Sequence, residues 1–377
     1  MLPLDGVVLL DLTRLLPGPY CSMILADLGA RVIKVEPPPP GDYMREFEPK
    51  LKKESAFYYA VNRNKESISL NLKEESDRET FLKLVSKAHV LMEGFRPGVM
   101  DRLGLGYERL REVNPGLVYC AITGFGQDGP YRDLPGHDIN YIAMGGVLDQ
   151  IGVKDGPPVL PTIQIADLSS AFWAAIGILA GVIRSRATGE GAFIDVSMMD
   201  TVLSWLPIHF VQYAATGHVP TRGDFLLGGG FPCYRIYETA DGQYVTLGAL
   251  EGKFWRVFCK AVDREDLVPH QFSQDPEVIK EVDELFRSKT LEEWLELTCG
   301  TKDLLLFPVN TLPQVMEDPQ VKAHNMLWRV KHPEEGELIM VAPPFKMEGV
   351  EFGCRKLPPA FDEDREGVFK DLLEGEK

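Results

Sequence analysis

Apolar and polar residues alternate in blocks along the first third of the chain, and each block keeps one period. Val7-Val8-Leu9-Leu10-Asp11-Leu12 is a short, nearly continuous apolar run, the pattern of a strand buried on both faces. Leu16-Pro17-Gly18-Pro19 breaks it, Tyr20 to Leu28 has helical spacing, and Gly29 ends that helix before a second run, Arg31-Val32-Ile33-Lys34-Val35-Glu36. Strand, short helix and strand predict a right-handed parallel crossover. Residues 37–56 open on four consecutive prolines and form a polar surface excursion. The pattern then resumes: Ser67 to Leu72 alternates as a strand, Glu75 to Ala88 is helical, and His89 to Glu93 and Leu117 to Ile122 are further strands. Several such units predict an α/β fold with a doubly wound, Rossmann-like sheet.

Farther along, Ala166 to Ala187 predicts a long apolar helix whose small residues let other backbones approach closely. Ala192 to Val196 is another strand, and Met198 to Ala215 another mostly apolar helix, so both helices are expected to be deeply buried or to lie in a subunit interface. Residues 218–230 are rich in Gly, Thr, Arg and Asp and predict a linker. Beyond it, Tyr234 to Glu238 and Gln243 to Leu247 flank Thr239-Ala240-Asp241-Gly242, a hairpin with an Asp-Gly turn. Helical segments follow at Lys253 to Val262, Pro276 to Ser288 and Leu291 to Leu297, which completes a smaller α+β domain. The apolar, proline-rich stretch from about Pro313 is expected to return to the first domain. The predicted organisation is a discontinuous large domain (1–190 and 314–377), a linker helix region (191–227) and a small domain (228–313).

Composition narrows the function. With 377 residues, 45% hydrophobic and 25% charged, the chain can build large cores and is expected to be soluble, with no apolar run of membrane-spanning length. A net charge of −16 argues against nucleic acid or anionic membrane as partner. It leaves room for a phosphate-bearing small molecule, since a few cations at one site suffice for phosphates. The six cysteines lack any CxxC pair, which predicts reduced thiols and no metal site. Met1 to Asp5 shows no basic segment leading an apolar one and Glu374 to Lys377 no targeting signal, so a cytoplasmic location is expected. The turn after the first strand lacks GxGxxG, and no nicotinamide or flavin is expected there.

Candidate chemistry lies mid-chain. Gly136-His137-Asp138-Ile139-Asn140-Tyr141 is followed, thirty residues after His137, by Asp167 at the start of the long apolar helix. A His and an Asp suit the two faces of a carbon whose proton is removed on one side and returned on the other. Their protonation states must be opposite at the start of each turnover, which requires the neutral form of Asp167 to be accessible through desolvation. Amides of the first helical turn at Asp167 are candidate donors to the developing oxyanion. Taken singly, each residue also has a structural reading: Asp167 as an N-cap, His137 as a turn residue, Glu251 as an ordinary acid at a helix start.

The opening Leu4-Asp5-Gly6 to Pro19, the stretch Ala26-Asp27-Leu28-Gly29-Ala30 to Glu36, Phe95-Arg96-Pro97-Gly98 to Gly104 and Gly124-Phe125-Gly126-Gln127-Asp128-Gly129-Pro130 resemble the class III CoA-transferase (CaiB/BaiF) superfamily. Within it, residues 136–141, Gly228 to Tyr234 and Gly248-Ala249-Leu250-Glu251 resemble the α-methylacyl-CoA racemase branch. The resemblance implies an isomerase that needs no cofactor, CoA being part of its acyl-CoA thioester substrate, and an interlocked homodimer with its active site between the large domain of one subunit and the small domain of the other. It implies His137, Asp167 and Glu251 as catalytic, with Glu251 orienting His137. It implies CoA contacts at Leu15, Leu16, Leu70, Asn71, Leu72, Lys73 and Arg102, and substrate contacts at Gly136, Asp138, Ile139, Asn140 and Tyr141. Where family members often carry an Arg, this chain has Pro37, with Lys34 before it. Transferases of the superfamily share the Asp at 167 but usually have another residue at 137; the alternative activity is CoA transfer through a covalent aspartyl thioester on Asp167.

Overall fold

The computed structural model describes residues 1–374; Gly375, Glu376 and Lys377, the last residues of the carboxyl end read above for targeting, lie outside the described residues. The chain forms two compact units. Met1–Gly145, Ile163–Trp205 and the chain from Gln320 onward make the first, Gly146–Thr162 and Leu206–Pro319 the second.

The first unit is built on a six-stranded sheet in the order β3-β2-β1-β4-β5-β6. The strands are β1 (Val8–Asp11), β2 (Arg31–Glu36), β3 (Lys65–Ser69), β4 (Val90–Glu93), β5 (Val118–Thr123) and β6 (Ala192–Ser197), all paired in parallel. Leu9 stands between Val32 of β2 and Val90 of β4, and Cys120 beside Ile194 of β6. Successive strand residues point to opposite faces, so the apolar runs feed two cores. Leu9, Val90, Met92, Val118 and Cys120 pack with residues of the helices Pro17–Asp27 and Ile165–Thr188. Leu10, Leu91 and Tyr119 pack with Phe81 and Leu84 of Glu75–Val85 and Leu110 of Tyr107–Val113. The small residues of the long helix act as expected: a Cβ on Gly181 would lie 2.7 Å from the Val118 side chain.

Three expectations change. The strand expected at Ala192 to Val196 forms as β6, but it belongs to the large sheet and not to a linker region, because it pairs with β5 over its whole length. Met198 to Ala215 is two helices, Met198–Leu203 and Pro207–Thr216, since Pro207 supplies no amide to continue the first and sits at the start of the second. Ile165–Thr188 is, by length and composition, apolar enough to cross a membrane, and half of that stretch is buried in the core just described.

In the first unit, β10 (Leu327–His332) and β11 (Gly336–Val341) form a hairpin whose Leu338 and Met340 pack on Tyr59. The second unit holds an antiparallel sheet, β7 (Tyr234–Glu238), β8 (Tyr244–Gly248) and β9 (Leu306–Pro308). The turn between β7 and β8 places Gly242 at φ +72°, a left-handed conformation natural to glycine. Helices Gly252–Ala261, Pro276–Phe286 and Leu291–Gly300 cover this sheet through Trp255, Phe258, Phe286 and Trp294.

Candidate active site

The strand order of the large sheet reverses at β1 and β4, and in such sheets the crevice beyond the carboxyl ends at the reversal is where ligands bind. A cavity of about 700 Å³ lies at this point, walled by Leu12 to Leu15, Pro17 and Gly18 after β1, Gly94 to Pro97 after β4, and Ile122 to Gly124 at the end of β5. Its remaining wall includes Tyr43, Arg132, Leu134 to His137, Asn140, Tyr141, Asp167 and Met198.

Buried charges hold the loop after β1. The Asp11 carboxylate accepts the Thr13 amide at 2.9 Å and the Ser22 hydroxyl at 2.5 Å. Lys34 donates to the Thr13 carbonyl at 3.0 Å and pairs with Asp42 at 2.8 Å; Lys65 donates to the Pro19 carbonyl and the Asn62 amide oxygen, each at 2.8 Å. Burial pulls the Lys65 ammonium down to about 7 against the pull of Asp11. Burial pushes the Asp11 carboxyl up, but Lys34, Lys65 and the two hydroxyls outweigh it and hold the group below its ordinary range. Leu15, on this loop, has φ +63°, a conformation costly for a branched side chain.

The loop carrying His137 is tied to the long helix. His137 precedes the helix Asp138–Met144, and its amide donates to the Asn140 side chain at 3.0 Å. Asp138 reaches across so that one carboxylate oxygen accepts the amides of Ala166 at 2.6 Å and Asp167 at 3.2 Å. Those first-turn amides, expected to face the oxyanion, are therefore occupied by Asp138. The Asp167 side chain faces the cavity, where burial first and the Asp138 charge second push its carboxyl up to about 7. Near neutral pH it populates both protonation states. His137 is exposed and opens onto the same cavity.

Of the other residues read from the sequence, Leu15, Gly136, Asn140 and Tyr141 line the cavity. Leu16 packs instead with Met23, Met44 and Tyr58. Leu70 is in the core behind the sheet, Leu72 leans on the same core, and Asn71 closes a turn by accepting the Lys73 amide. Leu70, Asn71, Leu72, Lys73, Asp138 and Ile139 are absent from the cavity wall, Ile139 facing outward and Asp138 acting through the two amides. Lys34 is enclosed by Thr13 and Asp42 and is no substitute for the arginine missing at Pro37. Glu251 belongs to the second unit, exposed at the N-terminal boundary of Gly252–Ala261.

Sequence reading passed over the cations of the cavity. Arg14, Arg96 and Arg132 line it, and among the described residues none of them pairs with a carboxylate. Arg14 lies over the Phe95 ring at 5.5 Å. Arg102 is absent from the wall; its guanidinium and that of Arg132 come to 3.2 and 3.7 Å from where a Cβ on Gly98 would stand. Unpaired cations gathered in a chain of net charge −16 call for an anionic ligand. The signal in the sequence was arginine placed beside the Gly- and Pro-rich motifs.

The sequence model of CoA-transferase family III matches residues 4–365. The chain belongs to CoA-transferase family III. Among its relatives, the human succinyl-CoA:glutarate CoA-transferase is 32% identical over 380 residues, covering 98% of this chain and 86% of the relative. The acetyl-CoA:oxalate CoA-transferase of Acetobacter aceti is 36% identical, covering 92% and 90%. The human alpha-methylacyl-CoA racemase is 36% identical over 319 residues, covering 83% and 79%. A crystal structure of a CAIB/BAIF family protein from Brucella suis superposes with a TM-score of 0.87 at 28% identity, covering 98% of this chain and 99% of that one.

Proposed function

We propose that this family III enzyme is a racemase and epimerase of 2-methylacyl-CoA thioesters, working without a cofactor on a Rossmann-like, cytoplasmic scaffold. The observation that carries this reading is that His137 and Asp167 open onto one cavity in which the Asp167 carboxyl is pushed up to about 7. In one direction the Asp167 carboxylate takes the α-proton and protonated His137 delivers one to the opposite face; in the other the roles exchange. The unpaired arginines around the cavity suit the phosphates of CoA.

We further propose that the working form is an interlocked homodimer in which Glu251 of a second copy approaches His137 and supports its imidazolium. The helix Pro207–Thr216 supports a partner: Ile208, Phe210, Val211 and Tyr213 are all exposed, and none of its residues is buried. On Ile165–Thr188, Phe172, Trp173, Ile176 and Ile183 are likewise exposed.

A second reading is CoA transfer, in which Asp167 attacks the acyl-CoA and carries CoA as an aspartyl thioester. It is favoured by the transferases among the relatives. Deuterated water separates the two. Incubation with (R)- or (S)-2-methylacyl-CoA is expected to bring deuterium into the α-position with loss of optical purity. Absence of exchange with every branched acyl-CoA, together with hydroxylamine trapping at Asp167 and CoA transfer to a free acid, would establish the transferase instead.

A further inference from the structure

Removing an α-proton from a thioester puts negative charge on its oxygen, and that oxygen needs a donor already in place. The amides at the start of Ile165–Thr188 bond to Asp138. On the cavity wall the Thr13 hydroxyl bonds to Asp11, the Thr123 hydroxyl accepts the Gly126 amide, and the Asn140 side chain is held by the His137 amide. Tyr141 differs. The residue is 5% exposed, it lines the cavity, and its hydroxyl bonds to no other described group.

The surroundings fix where that hydroxyl lies. The ring meets Phe125 edge-on at 5.3 Å. A Cβ on Gly124 would stand 2.5 Å from the hydroxyl, and one on Gly136 2.7 Å from the ring. Both glycines belong to motifs of the sequence, and each leaves room for the phenol. Burial and the Asp167 charge push the phenol up to about 12 while Arg96 opposes them, so at neutral pH it keeps its proton and remains a donor.

We propose that the Tyr141 hydroxyl donates a hydrogen bond to the substrate thioester oxygen and stabilises the enolate. The inference rests on the racemase reading. The α-carbon–hydrogen bond breaks, its proton passes to Asp167 or His137, and the electron pair moves into a carbon–carbon double bond as the carbonyl π pair moves onto oxygen. Tyr141 holds that oxygen without giving up its proton, and reprotonation on the other face reverses the electron movement.

The test is Tyr141→Phe in the full chain, which deletes an unpaired hydroxyl and leaves the ring. For α-deuterium exchange on 2-methylacyl-CoA, kcat is expected to fall about 100-fold with KM changed by no more than about threefold, the loss that follows removal of one oxyanion donor. An unchanged thermal midpoint shows that the fold is intact. A kcat within about threefold of wild type overturns the proposal. If wild type exchanges nothing but transfers CoA, the racemase reading fails, and the same variant is scored on transfer, where the attacked thioester oxygen carries equivalent charge. Full transfer activity in Tyr141→Phe then overturns the donor role as well.

Discussion

Asp167 shows how one residue's role depends on what surrounds it. A carboxyl at the start of a helix is ordinarily a stabilised anion, yet here burial and Asp138 push it up to about 7. The sign for activity follows. In the proposed racemase both directions start from a pair that holds one proton, so adding a second at low pH or removing the first at high pH is expected to lower kcat/KM for both enantiomers together, in a bell with the Asp167 limb at about 7. The pH profiles of kcat/KM for the two enantiomers check this; a rate that does not change through about 7 would contradict it. Asp138→Asn removes the charge but keeps an oxygen to accept the two amides, so both profiles should move toward lower pH. At this scale His137 and Asp167 were legible because the motif and the helix start are local. Arg14 and Arg132 were not, because nothing local distinguishes a cation facing a cavity from one facing water.

At the scale of elements, the apolar runs of the large sheet were readable because strands buried on both faces carry no polar alternation. The break before Pro207 followed a known rule yet lay inside a long apolar pattern, and the tie between β5 and β6 spans a separation no local pattern records. The loop after β1 depends most on long-range contacts. Lys34, on β2, is buried and holds the Thr13 carbonyl and Asp42. Lys34→Met leaves Asp42 buried without its ammonium, so we expect a loss of about 3 kcal/mol in stability by denaturant unfolding. Because Thr13 lines the cavity, KM for acyl-CoA should rise as well. A variant with unchanged stability and KM would show that this network does not hold the loop.

For the whole molecule, the unburied helix Pro207–Thr216 makes the proposed dimer testable. Val211 is 70% exposed, so Val211→Asp should leave each chain folded while shifting sedimentation toward the monomer and abolishing activity. Unchanged sedimentation would remove this helix from the interface. By itself the sequence determined the α/β class, the strands of the large sheet, the second unit's hairpin and the local motif that holds His137, all of which follow from periodicity and turn chemistry over a few residues. Only the tertiary structure decided which residues share a cavity, that Asp138 occupies the amides expected to serve the oxyanion, that Leu70 and Lys34 are enclosed, and that Asp167 is poised near neutrality. Those outcomes depend on burial and on charges brought together from distant parts of the chain, and a linear pattern carries neither.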